Sequence, residues 1–112
     1  MLPLRDRVTL EVSDVRIFNR STLQDFWKRY PDAEQALRAW HHEVENASWE
    51  SPAEIRQLYG TADFVANNRV VFDIRGNNYR LVVAVKYGPI FCVYIRFIGT
   101  HAEYDQIDAT TV

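Results

Sequence analysis

Three β-strands in close succession between Arg69 and Asp105 constrain the fold of this chain more than any other feature. Apolar and polar side chains alternate here, and successive side chains of a strand point to opposite faces of the sheet. Turn sequences separate the strands, namely Gly76-Asn77-Asn78 and Gly88-Pro89. We therefore predict a three-stranded antiparallel meander.

The alternation gives the predicted meander an apolar face and a mixed face. The apolar face would carry Val70, Phe72, Ile74, Tyr79, Leu81, Val83, Val85, Tyr87, Phe91, Val93, Ile95 and Phe97. The mixed face would carry Arg69, Arg75, Arg80, Lys86, Tyr94 and Arg96. Residues 64–100 contain five cations and one acid, although the net charge of the chain is −2. Such a local basic surface favours the binding of nucleic acid or of an acidic protein.

Three helices are predicted upstream of the meander, each from a start signal followed by apolar residues at helical spacing. Residues 21–24 and 51–54 have the pattern of capping boxes, and Asp32 is the predicted N-cap of the second helix. Residues 15–19 predict a short strand before the helices, and residues 101–108 predict a final turn or short helix. The predicted fold is α+β, with a small, mainly antiparallel sheet, the helices packed on its apolar face, and the mixed face open.

Length and composition predict one domain. The chain has 112 residues, of which 47% are hydrophobic, and this is enough for a core at this size. We assign residues 15–112 to the domain and residues 1–14 to an N-terminal extension, which either lacks order or adds a strand over residues 7–12. The chain shows neither a run of eighteen apolar residues nor a signal-peptide pattern, so we expect a soluble cytoplasmic protein without membrane contact.

Neither a metal site nor a reactive thiol is predicted. Cys92 is the only cysteine, lies within a predicted strand, and is interpreted as a small core-like residue. His41 and His42 are adjacent, and neighbouring helical side chains point about 100° apart, so the two cannot share one metal. No spacing in the chain is typical of zinc or calcium ligands, and we expect no metal and no cofactor.

The cations and the residues after the last strand are the candidates for chemistry. A single arginine in a strand is ordinary, but five cations on neighbouring strands indicate a phosphate-binding surface, because the planar guanidinium matches phosphate oxygens. His101 lies just past the last predicted strand, three residues before Tyr104. From the residues alone it is either a loop or capping residue or part of a site.

Four stretches of the chain resemble the HigB family of bacterial toxins, a branch of the RelE-like toxin superfamily. They are PDAEQALRAW, SWESPAEI, NNRVVFDIRGNNYRLVV and YIRFIGTHAEYDQIDA, and the resemblance covers about residues 15–112. It implies a RelE-like fold and an mRNA interferase that cuts mRNA on the translating ribosome. It also implies a HigA-like antitoxin with a helix-turn-helix domain, through which alone the toxin would contact operator DNA.

Two residues depart from the pattern of that family. Asp73 stands where asparagine is usual, and Arg75 stands where glycine is usual. Asp73 would put an acid on the mixed face, where it either weakens contact with RNA or pairs with Arg75.

The activity that the resemblance implies can proceed without a metal. The ribose 2′-OH attacks the adjacent phosphate and leaves a 2′,3′-cyclic phosphate and a 5′-OH, which requires a base, an acid and cations. We predict that Arg80 and Arg96 bind the phosphate, that His101 is the acid or the base, and that Tyr104 donates a proton or stacks on a base. The predicted RNA-binding residues are Arg69, Arg75, Asn78, Lys86 and Tyr94.

Two non-catalytic interpretations stand beside the enzyme. The same basic face would serve a module that binds RNA or a partner without chemistry, or a protein whose only role is to seat an antitoxin. Cleavage of mRNA on the ribosome separates the enzyme from both.

Overall fold

The computed structural model describes residues 16–112, so the predicted extension, including the candidate strand over residues 7–12, lies outside the described residues. In chain order the elements are β1 (Arg16–Phe18), α1 (Arg20–Arg29), a 3-10 turn (Pro31–Ala33), α2 (Glu34–Glu45), α3 (Pro52–Leu58), β2 (Asp63–Val65), β3 (Arg69–Ile74), β4 (Tyr79–Lys86), β5 (Cys92–Thr100) and α4 (His101–Tyr104). Among them, no helix is both long and apolar enough to cross a membrane.

The strands form one open sheet in the order β1-β5-β4-β3-β2. Strands β3, β4 and β5 are the predicted antiparallel meander, and β1 pairs with β5 in parallel. Strand β2 was not predicted. It pairs with β3 through a tight turn in which Asn67 and Asn68 both have positive φ, a conformation that asparagine tolerates well. The α+β fold with a mainly antiparallel sheet is confirmed.

The core lies between the helices and the apolar face of the sheet, as alternation predicts. Each of the first three helices contributes buried side chains to it: Leu23, Phe26, Leu37, Trp40, Val44 and Ile55. From the sheet, Phe72, Leu81, Val83, Val93 and Ile95 are at most 2% exposed. The helices therefore cover one face of the sheet.

The prediction for the end of β5 is wrong, because a bulge interrupts the alternation. Val83 pairs with Ile95, whereas Val82 pairs with Phe97, so Arg96 is the extra residue. Before the bulge the odd-numbered residues of β5 face the core, and after it the even-numbered residues do. Ile98 joins the core, and Phe97 joins the mixed face.

The predicted caps of the first two helices are also wrong. Helix α1 follows Asn19, which has a left-handed conformation at φ 70° and no side-chain cap bond, so Ser21 lies within the first turn. Asp32 lies in the 3-10 turn rather than at the N-cap of α2. Its carboxylate instead accepts a hydrogen bond from the Tyr79 hydroxyl at 2.5 Å and pairs with Arg75 at 3.4 Å. Tertiary partners thus outcompete the local capping role.

The third helix begins where the sequence predicts, with Pro52 in its first turn. Its expected capping box does not form. Ser51 makes no side-chain cap bond, and Glu54 Oε1 accepts from the Glu50 amide at 3.3 Å. A complete capping box occurs instead at α4, where Thr100 and Glu103 each accept from the other's backbone amide.

The mixed face is not open across its whole width, contrary to prediction. Residues 105–112, here called the final segment, pass over it. They follow Tyr104, whose ring lies 6.0 Å from the Arg80 guanidinium on β4, and they end where Arg69 on β3 donates to the carbonyl of Val112 at 2.7 Å. The residues of this face on β3 and β4 are accordingly buried: Val71, Val82 and Ala84. The mixed face therefore remains open mainly over β5 and β1.

Candidate functional site

Arg80 is the centre of a polar cluster at one end of the mixed face. It lies opposite Asp73 on β3, and its Nη1 forms an ion pair with Asp73 Oδ1 at 2.6 Å. The same nitrogen donates to Asn77 Oδ1 at 2.9 Å. The ring of Tyr104 completes the cluster on the side of the final segment. One of the two expectations paired Asp73 with Arg75. In the structure Asp73 pairs with Arg80 instead.

Arg80 keeps donors for a ligand in spite of these contacts. Within residues 16–112 no hydrogen bond uses its Nε or Nη2, and neither atom is both buried and without a partner. The Nε and Nη2 groups form one edge of the planar guanidinium, which is the edge that binds two oxygens of a phosphate or carboxylate. The cluster can therefore hold an oxyanion.

A cavity of about 390 Å³ opens beside this cluster. Its lining residues come from the β2 region, the mixed face and α4: Thr61, Ala62, Asp63, Val71, Asp73, Arg80 and Tyr104. One cation and one aromatic ring share the wall with two carboxylates. An anionic group that enters would be attracted by Arg80 and repelled by the two acids, of which Asp73 is already paired with Arg80.

His101 is the first residue of α4 and directly follows the capping residue Thr100. Its ring is partly buried, and its Nε2 is buried without a hydrogen-bond partner. Within the part of the chain that the structure describes, no hydrogen bond or ion pair joins its side chain to Arg80, Arg96 or Tyr104. The structure places His101 at the same end of the sheet as Arg80, since Gly99 pairs with Arg80 and Thr100 with Tyr79.

A second cluster lies on the open part of the mixed face. Phe18 on β1 and Tyr94 on β5 are paired residues, and their rings stack at 4.9 Å with an interplanar angle of 12°. The Arg96 guanidinium lies 5.9 Å from the Tyr94 ring. The neighbouring Cys92 side chain raises the pKa of Tyr94 above its ordinary value. The structure places Arg96 against Tyr94, whereas Arg80, its predicted partner in phosphate binding, belongs to the first cluster.

Two aromatic residues of this face were missed by the sequence analysis. Phe97 reaches it only because of the bulge at Arg96, and its ring lies 6.5 Å from Tyr104, next to the first cluster. Phe18 reaches it through the parallel pairing of β1 with β5. The one signal for Phe18 was an aromatic residue in the short strand predicted before the helices.

Among residues 16–112, none of the other predicted RNA-binding residues forms a side-chain hydrogen bond, ion pair or ring contact with a member of either cluster. Arg69 donates to Asn67 and Val112 carbonyls and so holds the final segment. Arg75 lies in the β3–β4 turn at φ 53° and pairs with Asp32 in the helical layer. Asn78 is exposed in the same turn, and Lys86 is exposed at the far end of β4.

Among residues 16–112, no three or more His, Cys, Asp or Glu side chains are grouped so that they could hold a metal ion. His41 and His42 lie on α2, in the helical layer. Burial and the nearby charge of Arg20 lower the pKa of His41, so its ring is neutral at pH 7.

Comparison with known proteins links this arrangement to one family. The profile of the HigB toxin family, described as the RelE-like toxic component of a toxin-antitoxin system, matches residues 33–107. The mRNA interferase toxin HigB of Escherichia coli (strain K12) is 26% identical over 97 residues, which cover 85% of this chain and 92% of that protein. The mRNA interferase HigB proteins of Escherichia coli O157:H7 and Shigella flexneri match to the same extent.

Proposed function

The chain belongs to the HigB family of RelE-like toxins from toxin-antitoxin systems, and on this premise we propose that it is an mRNA interferase that cleaves mRNA on the translating ribosome. Support comes from relatives that carry the name mRNA interferase over most of the chain. The observation that carries the proposal is the Arg80 cluster, because it combines a phosphate-binding edge with an aromatic hydroxyl beside a cavity.

In the proposed reaction Arg80 binds the scissile phosphate through Nε and Nη2. The ribose 2′-OH gives its proton to a base and attacks phosphorus, and the departing 5′-oxygen takes a proton from an acid. The products are a 2′,3′-cyclic phosphate and a 5′-OH. Arg80 stabilises the negative charge that develops on the phosphate oxygens, and such preorganised donors supply a large part of many rate enhancements.

We assign the proton transfers to His101 and Tyr104. Tyr104 is already at the cluster, 6.0 Å from the Arg80 guanidinium. His101 lies at the same end of the sheet, and an imidazole ring can either accept or donate a proton. Both residues belong to α4, where a spacing of three residues places them on neighbouring positions of one helix face. The proposed chemistry uses no metal.

Arg96 and Lys86 extend the RNA-binding surface beyond the scissile phosphate. Both are exposed, and strands β1, β4 and β5 contain no acidic residue that would oppose a second phosphate. A chain of phosphates that enters at Arg80 would therefore continue along β5. The proposed partners, both in the cytoplasm, are mRNA on the ribosome and a HigA-like antitoxin that neutralises the toxin. The antitoxin would have a helix-turn-helix domain, and the toxin would reach operator DNA only through it.

The proposal is tested by cleavage of mRNA on programmed ribosomes, with purified protein that either has or has not been treated with EDTA and then dialysed before the ribosomes are added. We expect cuts within the translated codons, 2′,3′-cyclic phosphate ends, and no loss of rate after the EDTA treatment. The proposal would be refuted by intact mRNA in the presence of folded protein, and that result would favour a module that binds RNA or an antitoxin without chemistry.

Expression in cells gives the second test. Expression of the chain alone should arrest growth, and co-expression of a helix-turn-helix protein encoded beside its gene should restore growth. Normal growth at high levels of soluble, folded protein would contradict a toxic activity. Lys28→Ala on α1 is the control, because this exposed residue of the helical layer lies away from the mixed face.

A further inference from the structure

The final segment divides the mixed face into a covered part and an open part. Over β3 and β4, Val71 and Val82 are 3% and 0% exposed beneath it. Over β1 and β5, Phe18 is 43% exposed and Arg96 is exposed. An extended ligand that starts at Arg80 is therefore directed onto β5 and β1.

The open part carries a rigid aromatic platform. Phe18 and Tyr94 stack almost parallel, as paired residues of adjacent strands. The position of Phe18 is fixed by the next residue, because the Asn19 side-chain amide donates to the Ile95 carbonyl at 3.2 Å. Tyr94 is partly buried on the inner strand β5, whereas Phe18 is exposed on the edge strand β1. A planar group can therefore add to this stack at little cost in side-chain entropy.

The charges around this platform favour a polyanion. Arg96 contacts the Tyr94 ring and is exposed, and Lys86 is exposed on the next strand. Strands β1, β4 and β5 contribute no acid. Aromatic residues next to cations, without acids, are the usual composition of a surface that binds single-stranded nucleic acid by stacking on its bases.

We propose that Phe18, Tyr94 and Arg96 form a base-stacking subsite that holds one unpaired base of the RNA, at a different nucleotide from the one whose phosphate Arg80 binds. The inference rests on the proposed function and adds Phe18 to it, a residue outside the Arg80 cluster. Tyr94 and Gly99, which pairs with Arg80, are separated by roughly 13 to 16 Å along β5, at a strand rise of about 3.3 Å per residue. That distance is too long for one nucleotide to span both clusters.

The subsite is tested by RNA binding rather than by cleavage. The probe is a fluorescein-labelled, single-stranded RNA oligonucleotide with 2′-O-methyl groups, which remove the attacking hydroxyl. Base-aromatic stacking contributes enough that Phe18→Ala should weaken binding by roughly 5- to 140-fold in fluorescence anisotropy. Phe18→Trp should restore binding. Leu58→Ala is the matched control, because Leu58 is 58% exposed on α3 and outside the mixed face.

An abasic site in the probe distinguishes stacking from a general loss of structure. At one position of the oligonucleotide, removal of the base should weaken binding to the wild type but should not weaken binding to Phe18→Ala any further. Phe18→Leu keeps apolar volume against Tyr94 without a ring, and it should bind as weakly as Phe18→Ala at an unchanged melting temperature.

Each outcome decides between the alternatives. Equal affinity of wild type and Phe18→Ala, or no binding of the probe by the wild type, overturns the subsite. Loss of antitoxin binding with RNA binding unchanged also overturns it and identifies Phe18 as part of a protein interface. RNA binding that depends on Phe18 without cleavage on ribosomes would retain the subsite and refute the proposed enzyme.

Discussion

Asp73 and Arg80 face each other on β3 and β4, and their side chains form an ion pair of 2.6 Å in which each group is about one-fifth exposed. Asp73 and Asn77 both contact Nη1 of Arg80, which orients the guanidinium while its Nε–Nη2 edge keeps no hydrogen-bond partner within residues 16–112. The acid therefore has two opposite effects on a bound phosphate. It positions Arg80, and it repels the ligand.

Asp73→Asn separates these two effects. The amide keeps an oxygen near Nη1 but removes the negative charge, so we expect tighter RNA binding and a several-fold higher cleavage rate at low RNA concentration. Asp73→Ala removes the positioning oxygen as well and should lower the rate. Cleavage of mRNA on programmed ribosomes measures both variants.

The matched control for this charge change is Asp25→Asn, since Asp25 is exposed on α1 in the opposite layer. It changes the net charge equally and should leave cleavage unchanged. The same gain in Asp25→Asn would show that the net charge of the protein matters rather than the Asp73–Arg80 pair. A lower rate in Asp73→Asn would mean that positioning outweighs repulsion.

His101 and Tyr104 are separable by conservative and non-conservative changes. A general acid or base is typically worth about 10²- to 10⁴-fold in rate, so His101→Ala should lose cleavage on that order while its melting temperature stays near that of the wild type. Tyr104→Phe keeps the ring beside Arg80 and removes the hydroxyl, so a loss of rate there indicates proton transfer. The pH profile of each variant, compared with the wild type, identifies which group titrates. Wild-type rates in His101→Ala would leave the chemistry to Tyr104 and the arginines.

The core was predictable because burial on one face of a strand demands strict alternation, which Phe72, Leu81 and Val93 obey. The site was predictable only in part. The bulge that turns Phe97 to the mixed face depends on the register between β4 and β5, which no local pattern in residues 92–100 shows. Phe18 meets Tyr94 only because the first strand of the described chain pairs with the last.

Local capping signals failed for a related reason. Asp32 has the sequence context of an N-cap, but in the folded chain the Tyr79 hydroxyl and the Arg75 guanidinium compete for its carboxylate. The hydrogen bond to Asp32 also raises the pKa of Tyr79. Arg75 is thereby drawn into the helical layer, away from the face on which its strand parity placed it. Side chains with several possible partners are the ones whose place depends on the whole fold.

Arg69→Ala should destabilise the final segment rather than abolish RNA binding. The variant loses the hydrogen bonds to the carbonyls of Asn67 and Val112, and we expect a loss of about 1 to 2 kcal/mol in unfolding free energy. Urea denaturation measures this loss. Hydrogen exchange should be faster at the amides of Thr111 and Val112, both of which bond to the Asp108 carbonyl.

Lys86→Ala is the comparison for Arg69, because Lys86 is exposed at the end of β4 and its removal should cost little stability. A drop in RNA affinity larger in Arg69→Ala than in Lys86→Ala, at equal stability, would instead assign Arg69 to the RNA surface.

His41 should make stability depend on pH below neutrality. Burial, followed by the charge of Arg20, lowers its pKa from the ordinary value of 6.5. The unfolded chain then binds a proton more readily than the folded one, so the stability contribution is complete above pH 6.5 and decreases as the pH falls toward the lowered value. The decrease in melting temperature from pH 7.5 to pH 5.0 should therefore be larger in the wild type than in His41→Gln. Equal decreases in both proteins would exclude this contribution.

Gly99→Ala tests the close packing at the junction of β5 and α4. A Cβ at Gly99 would meet the Phe97 ring at 2.5 Å and Glu103 Oε1 at 2.8 Å, and Glu103 Oε1 accepts the Thr100 amide in the capping box of α4. Both side chains must move, which should cost about 1 to 3 kcal/mol of unfolding free energy and should lower cleavage, since Phe97 adjoins Tyr104. Gly60→Ala is the control, because nothing lies within 4 Å of its added Cβ. If Gly99→Ala unfolds at the same urea concentration as Gly60→Ala and cleaves as fast, the ring of Phe97 is free to move and does not hold Tyr104 beside Arg80.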